Sequence, residues 1–476
     1  MAGSVQASPG FSLTPAPSKL ATPDNYITDF NFLDQYLPDT YEKEFERYGN
    51  RSIASFLRAV GAELPSNSDL IKWAEQGRLH TQYTGVTVVD AVASGKQTFD
   101  LGTDEHNFRV GQTVILSSAT DAKVEKAIIV DAAPSGDKTQ FEVAYYSAAG
   151  GVGFENSPAT SDVVVFVYGS EFAKGTSGMD GSLEAESEFF DNKPIIIKDK
   201  YKVNGSEMAQ IGWVEVTTEN GATGYLWYIK SEHETRLRFE DYMEMAMIEG
   251  IPADAASGAA DYLQSSSAGA GVADKSGTEG MFYSIENRGN VWSGGNPSTL
   301  ADFDAVIERL DKQGSIQENV IFLNRQFGFD IDDMLAAQNS YGAGGTSYGL
   351  FDNDESMALN LGFTGFKRGY EFYKTDWKYL NDATLRGGLT ADAVNGVMVP
   401  AGSMTVYDQV LGKNATRPFL HVRYRASETE DRRYKTWMTG SAGNVRTSDL
   451  DAMEVHFLSE RALCTMGANN FFLFKD

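Results

Sequence analysis

Cysteine and long apolar runs are scarce in this chain of 476 residues. Cys464 is the single cysteine, so no intrachain disulfide can form. Its setting, ERALCTMGANNFFLF, is typical of a buried strand and predicts a structural thiol rather than a nucleophile. No apolar run approaches the roughly 18 residues of a membrane-spanning helix, and residues 1–19 lack the pattern of a signal peptide. We therefore expect a soluble protein without membrane contact.

Motifs for catalysis are also absent. The chain's histidines are His80, His106, His233, His421 and His456. They show no HExxH motif and no paired spacing, which excludes a metal site of that type. No G-x-S-x-G elbow is present, and LGFTGFKRG matches neither the Walker nor the dinucleotide spacing, so its glycines are interpreted as turn glycines. We predict a protein that is not an enzyme and binds no cofactor or metal.

Acidic clusters are the exception that could support chemistry. They are Asp330, Asp332 and Asp333, and Asp352, Asp354 and Glu355. Paired carboxylates can serve a glycosidase or a divalent cation. Since the chain has 66 acidic residues, chance proximity is expected, and a solvated surface is the favoured interpretation.

Positive charge is in short supply. The chain has 40 basic and 66 acidic residues, a formal net charge of −26 and a pI near 4.6. Such a surface repels a phosphate backbone, because general affinity for nucleic acid comes from lysine and arginine. Direct wrapping of DNA is therefore not expected, whereas a protein that merely encloses nucleic acid meets no such conflict.

Residues 225–249, GYLWYIKSEHETRLRFEDYMEMAMIEG with its flanking glycines, predict one long helix. One face carries Phe239, Tyr242, Met243, Ala246 and Met247 at helical spacing. Glu232 precedes Arg236, and Glu234 precedes Arg238, in the favourable i, i+4 order. Gly250 and Pro252 end the segment. At 1.5 Å per residue the helix is roughly 35 Å long, which suits a rigid strut.

The rest of the chain contains several segments that differ in composition and hydrophobic pattern. Residues 1–40 are rich in proline and serine and indicate an extended arm, and Ser68 is a candidate N-cap for a short helix through Ala74. Short β-branched runs at 81–168 predict a small sandwich or barrel. Residues 169–224 have too little apolar material for a core and suggest a long β-hairpin that needs a neighbour. From residue 298 a helix and the strand NVIFLN predict an α/β layer, and strand patterns return toward the C-terminus.

This order of elements resembles the major capsid proteins of tailed bacteriophages with the Hong Kong 97-type fold. The stretches YGSEFAKGTSGMDGS, KDKYKVNGSEMAQIGWVEV and HFLSERALCTMGANNFFLFKD are similar to what such shell proteins carry. The resemblance implies an α+β fold with an inserted small all-β domain. Its divisions would be an N-terminal arm at 1–40, a helical segment at 41–80, the inserted domain at 81–168, an extended β-hairpin loop at 169–224, the spine helix and peripheral domain at 225–297, an axial domain at 298–420, and C-terminal strands returning to the peripheral domain at 421–476.

The resemblance also implies a function. Such a subunit self-assembles through hexamers and pentamers into an icosahedral shell that encloses phage double-stranded DNA without sequence-specific binding. It would be found in the virion, after assembly in the host cytoplasm, with scaffold, portal and decoration proteins as partners. The candidate inter-subunit contacts are Phe172, Lys174, Phe189, Phe190, Tyr201, Glu232, Glu234, Arg236 and Arg238.

Two other classes of function stay open. A carbohydrate-binding adhesin or tail-associated protein is suggested by the β-rich module and by 22 tyrosines and 6 tryptophans available for stacking on sugars. An acid-pair hydrolase is suggested only by the acidic clusters, and its activity would depend on Asp332 or Asp354.

Overall fold

The computed structural model divides the chain into two units, Met1–Trp73 with Asp191–Asp476, and Ala74–Phe190. Both helices and strands are present, which confirms the α+β prediction at that level. The residues described are 53–54, 56–57, 62–77, 81–148, 152–155, 162–182, 187–209, 216–217, 223–224, 227–254, 256–264, 277–313, 316–339, 365–408, 413–442 and 446–476. The predicted arm at 1–40 lies outside them.

The first two strands occupy a region predicted to be helical. They are β1 (Glu63–Ser66) and β2 (Ile71–Gln76). The helix predicted from Ser68 to Ala74 is therefore wrong. Ile71 and Trp73 alternate along β2 and pack against Ala462 and Cys464, so burial of this face favours an extended chain over the local capping signal.

Six strands of the Ala74–Phe190 unit form a closed antiparallel barrel in the order β3-β4-β7-β6-β5-β8. They are β3 (Gln82–Val88), β4 (Lys96–Asp100), β5 (Gln112–Ser118), β6 (Lys123–Asp131), β7 (Gln140–Tyr145) and β8 (Val163–Ser170). Alternate residues face inward, where Phe99 stacks on Phe141 with ring centroids 5.5 Å apart. Closure leaves no open sheet edge, so this unit has a core of its own.

The chain then returns through short elements to the long helix. They are β9 (Ser187–Asn192), β10 (Ile195–Asn204), α1 (Gly205–Met208), β11 (Val216–Thr217), β12 (Thr223–Gly224) and α2 (Trp227–Glu249). β9 pairs with β2, and β10 pairs with a strand near the C-terminus, so these two neighbours do not form the single hairpin predicted across 169–224. Among the strands described in this segment, β11 and β12 pair with each other. The long helix itself is confirmed.

The second half of the chain contains the remaining helices and strands. The helices are α3 (Gly258–Gln264), α4 (Met281–Arg288), α5 (Leu300–Gln313), α6 (Arg325–Asn339) and α7 (Lys378–Asn381). The strands are β13 (Asn290–Ser293), β14 (Glu318–Leu323), β15 (Gly365–Arg368), β16 (Tyr370–Asp376), β17 (Val394–Pro400), β18 (Ser403–Asp408), β19 (Lys413–Pro418), β20 (Leu420–Arg425), β21 (Lys435–Gly440), β22 (Ala452–Thr465) and β23 (Phe472–Lys475). Gly369, with φ of 78°, makes the tight turn between β15 and β16, as predicted for a turn glycine.

Two sheets organise the larger unit. One has the order β1-β20-β22-β10, with β21 also pairing with β22, and the other has the order β13-β23-β17-β14-β16-β15. Residues of α5 and α6 pack on the second sheet, where Phe303, Phe327, Phe372 and Phe474 are buried. The apolar β23 lies inside this sheet and is paired on both sides, which accounts for its almost continuous hydrophobic sequence.

Candidate functional site

The long helix α2 lies against the face of the first sheet formed by β10 and β22. Phe239, Met243 and Met247 of the predicted apolar face are buried, whereas Tyr242 is 43% exposed. Phe239 stacks on Phe457 of β22 with ring centroids 5.7 Å apart. β10 and β22 pair antiparallel over ten consecutive residue pairs. A helix of about 35 Å is thus backed by a two-stranded ribbon of nearly the same length.

Charged candidate residues of α2 mostly lie at its exposed side. Two nitrogens of Arg238 donate to Asp199 Oδ2 at 3.1 and 3.2 Å, which ties the helix to β10. Arg236 Nε lies 3.4 Å from Glu240 Oε1. Burial raises the pKa of Glu232, against the lowering effect of Arg236 and His233. Glu234 is exposed.

The aromatic candidates differ in accessibility. Phe189 is 71% exposed and Phe172 is 41% exposed, whereas Phe190 is half-buried. Phe172 lies against the barrel at Gly111, where an added Cβ would come within 2.6 Å of the ring. Lys174 is exposed. These four residues belong to the Ala74–Phe190 unit.

Tyr201 differs from the other candidates because it is only 7% exposed. Its position follows from the alternation of β10, in which Ile197, Asp199, Tyr201 and Val203 share one face and Lys198, Lys200 and Lys202 share the other. The face with Ile197, Asp199, Tyr201 and Val203 is turned toward α2. Residues on the second face are the ones that a partner can reach.

An anchor for the segment before β1 was not foreseen from the sequence. Asp241 Oδ1 accepts the backbone N–H of Ile53 at 2.8 Å, and Glu244 Oε1 accepts that of Phe56 at 2.7 Å. Glu244 is 5% exposed although it is charged. Phe56 stacks on Trp377 with ring centroids 4.4 Å apart. The one available signal was an acidic residue inside the apolar pattern of the helix.

Beside this anchor lies a polar groove of about 680 Å³. Glu63 pairs there with Arg433 and, at 3.2 Å, with Arg461. Arg461 also donates to Ser459 Oγ at 2.8 Å. Because Glu63 pairs with both arginines, the groove links β1 to β22 and to the segment before β21, and it offers no charge of one sign to a ligand.

Three side chains of types that serve catalysis elsewhere, Cys464, His421 and Asp332, are buried or paired in this structure. Burial raises the pKa of the Cys464 thiol to about 12. Burial, with smaller contributions from Arg423 and Arg417, lowers the pKa of His421 to about 4. Asp332 is paired with Lys374 at 2.5 Å. Within the described ranges no three His, Cys, Asp or Glu side chains are grouped to hold a metal, and no helix is long and apolar enough to cross a membrane. Asp352, Asp354 and Glu355 lie outside those ranges.

Comparison with known proteins found no matching family model and no matching curated protein. Three solved structures align over most of the chain. The capsid of a native GTA particle is 10% identical over 97% of this chain and 99% of its own, with a TM-score of 0.39. The mature capsid of bacteriophage PhiM1 is 10% identical over 93% and 92%, with a TM-score of 0.39. The capsid of cyanophage P-SCSP1u is 8% identical over 97% and 98%, also with a TM-score of 0.39. With TM-scores below 0.5, these likenesses do not establish a shared fold.

Proposed function

We propose that this chain is the structural subunit of a phage head, a major capsid protein of the Hong Kong 97 type that assembles into a closed shell around double-stranded DNA. The observation that carries the proposal is the helix α2 lying along the ten-pair ribbon of β10 and β22. Such a strut resists bending, because helix and ribbon are joined by a buried core and by the Arg238–Asp199 pair. In a closed symmetric array each copy presents the same surface patches to its neighbours, and a stiff strut would hold those patches in fixed positions.

The exposed apolar side chains support assembly. In the larger unit Ile251 and Tyr262 are 65% and 66% exposed, and in the barrel unit Phe189 is 71% exposed. Burying such side chains between copies would remove their apolar surface from water and so would favour assembly. Phe172, Lys174 and Phe190 are further proposed contacts, together with Glu232, Glu234, Arg236 and Arg238 of α2. Tyr201 would act by holding β10 in place.

The division of the chain extends the proposal. α2 would be the spine helix, with the sheet β1-β20-β22-β10 as the peripheral domain. The sheet that contains β14 and β17 would form the axial domain, and the barrel would be an inserted module. Scaffold, portal and decoration proteins would be its partners during assembly in the host cytoplasm.

Assembly of the expressed full chain is the test. We expect particles of uniform diameter by negative-stain microscopy and a mass of many subunits by light scattering. Phe189→Asp should reduce particle yield while the far-UV circular dichroism stays that of the folded subunit. Ser187→Asp, which adds the same charge at another exposed position of β9, is the matched control. A protein that remains monomeric at high concentration would overturn the proposal, and trimers with glycan affinity would favour an adhesin.

A further inference from the structure

The face of the first sheet that lies opposite α2 carries a concentration of positive charge. Lys198, Lys200 and Lys202 stand at every second position of β10, and all three are exposed. β22 pairs with β10 so that Lys200 lies beside His456, and Trp437 of β21 lies on the other side of that histidine. The face is therefore a continuous surface three strands wide, in a chain with a net charge of −26.

The neighbours of the lysines leave most of their charge available. Lys200 Nζ is 3.6 Å from Glu454 Oε1, and its side chain is still 60% exposed. Lys198 and Lys202 have no ion-pair partner in the described part of the chain. Lys435, at the far side of the face, pairs with Glu430. Two to three positive charges thus remain for a partner.

The residue types favour a polyanion over another protein. Lysine is depleted at the centre of protein interfaces but is a common contact to phosphate oxygens. Two residues of a strand advance about 6.8 Å, which equals the axial rise of two base pairs of B-form DNA. The stack of Trp437 on His456, with ring centroids 5.1 Å apart and planes at 14°, makes the adjoining surface rigid.

We infer that the lysine face, defined by Lys198, Lys200 and Lys202, contacts the phosphate backbone of DNA. This inference rests on the proposed function and adds that the sheet face opposite α2 is turned toward the enclosed nucleic acid. Contact is independent of base sequence, since lysine on a flat sheet face reads only phosphate charge. The acidic remainder of the chain repels DNA, so attachment is restricted to this face and stays weak in each subunit.

The test is binding of a fluorescein-labelled duplex of about 25 base pairs to the subunit fraction of the full chain, followed by anisotropy. Two to three phosphate contacts predict a slope of about −1.8 to −2.7 for log affinity against log salt, hence a loss of about 12- to 40-fold between 50 and 200 mM. The variant K198Q/K200Q/K202Q should lose most of that dependence, and K202Q alone should reduce the slope by about 0.9. The matched control is K72Q/K138Q/K312Q, which removes the same charge at other exposed positions and should keep the slope.

Purified particles provide a second measurement. Their ratio of nucleic acid to protein should fall in the triple variant and not in the control. An equal effect of both variants would show that net charge alone matters and would overturn the inference. So would variants that bind the duplex unchanged but assemble poorly or aggregate, because the lysines would then contact protein or protect the edge of β10. Particles that form normally while the wild-type subunit binds no duplex at low salt would refute the lysine face and leave the proposed function standing.

Discussion

Asn192, at the end of β9, joins three separate parts of the larger unit, and its removal should be costly. The side chain is 4% exposed. Its Nδ2 donates to the carbonyl oxygens of Glu279 at 2.8 Å and Leu463 at 2.6 Å. Its Oδ1 accepts from the N–H of Glu279 at 2.7 Å and from Thr278 Oγ1 at 3.1 Å. The side-chain amide of Asn192 therefore provides the hydrogen-bond partners for buried donors and acceptors from two other segments of the chain.

Asn192→Ala leaves these groups without their partner. Each buried donor or acceptor that loses its hydrogen bond costs about 1–3 kcal/mol. Four backbone groups are affected, since Oδ1 also accepts the N–H of Lys193 at 2.7 Å. We therefore expect the free energy of unfolding to fall by about 3 kcal/mol or more. Asn192→Asp should be no better at neutral pH, because its carboxylate would face two carbonyl oxygens in a buried site.

Urea unfolding followed by tryptophan emission measures this loss in the relevant unit. The six tryptophans are Trp73, Trp213, Trp227, Trp292, Trp377 and Trp437, and all lie outside Ala74–Phe190. Asn287→Ala, at an exposed asparagine of α4 in the same unit, is the control and should change stability by less than about 0.5 kcal/mol. A loss below about 1 kcal/mol for Asn192→Ala would refute the view that this amide holds the junction together.

Three further predictions concern buried side chains. Phe56→Ala should cost about 3–5 kcal/mol in urea unfolding because it empties the site against Trp377. Phe329→Ala, at a phenylalanine of the same unit that is 53% exposed, should cost little, and equal losses would contradict the assignment. Burial lowers the pKa of His421 to about 4 in the folded chain, against about 6.5 in the unfolded chain. Between these pH values only the unfolded chain protonates this histidine, so the free energy of unfolding should fall by about 3 kcal/mol as the pH drops from about 6.5 to about 4. His421→Leu should lack this contribution, so its stability should fall less over the same window. Cys464 should react with a thiol reagent only after unfolding, since burial raises its pKa to about 12; rapid labelling of the folded chain would contradict this.

The sequence was sufficient for elements with a strong local pattern. The helix at Trp227–Glu249 begins within two residues of its predicted start and ends where predicted, because apolar spacing and the terminal glycine agree. Burial of Cys464 was likewise readable from its apolar neighbours. Tyr242 was misplaced, since a helix that packs on one sheet buries a narrower stripe than its apolar residues suggest.

Other features had no local signal. The residues around Asn192, DNKP, have the composition typical of an exposed turn. Asn192 is nevertheless buried, because it forms hydrogen bonds with Glu279 and Leu463 from distant parts of the chain. β2 was predicted to be a helix for the same reason. The residues against which its Ile71 and Trp73 pack, Ala462 and Cys464, lie some 390 residues later in the sequence. Spacing alone could not show that β9 and β10 pair with other strands.

Sequence by itself determined the long helix, the β-rich module, the buried thiol and the excess of acidic charge, because each depends on neighbours within a few turns or strands. Only the tertiary structure decided which strands pair, which charges are neutralised and where the remaining lysines gather. Strand pairing brings residues together across hundreds of positions, and the side on which α2 packs determines which face of β10 is left to a partner.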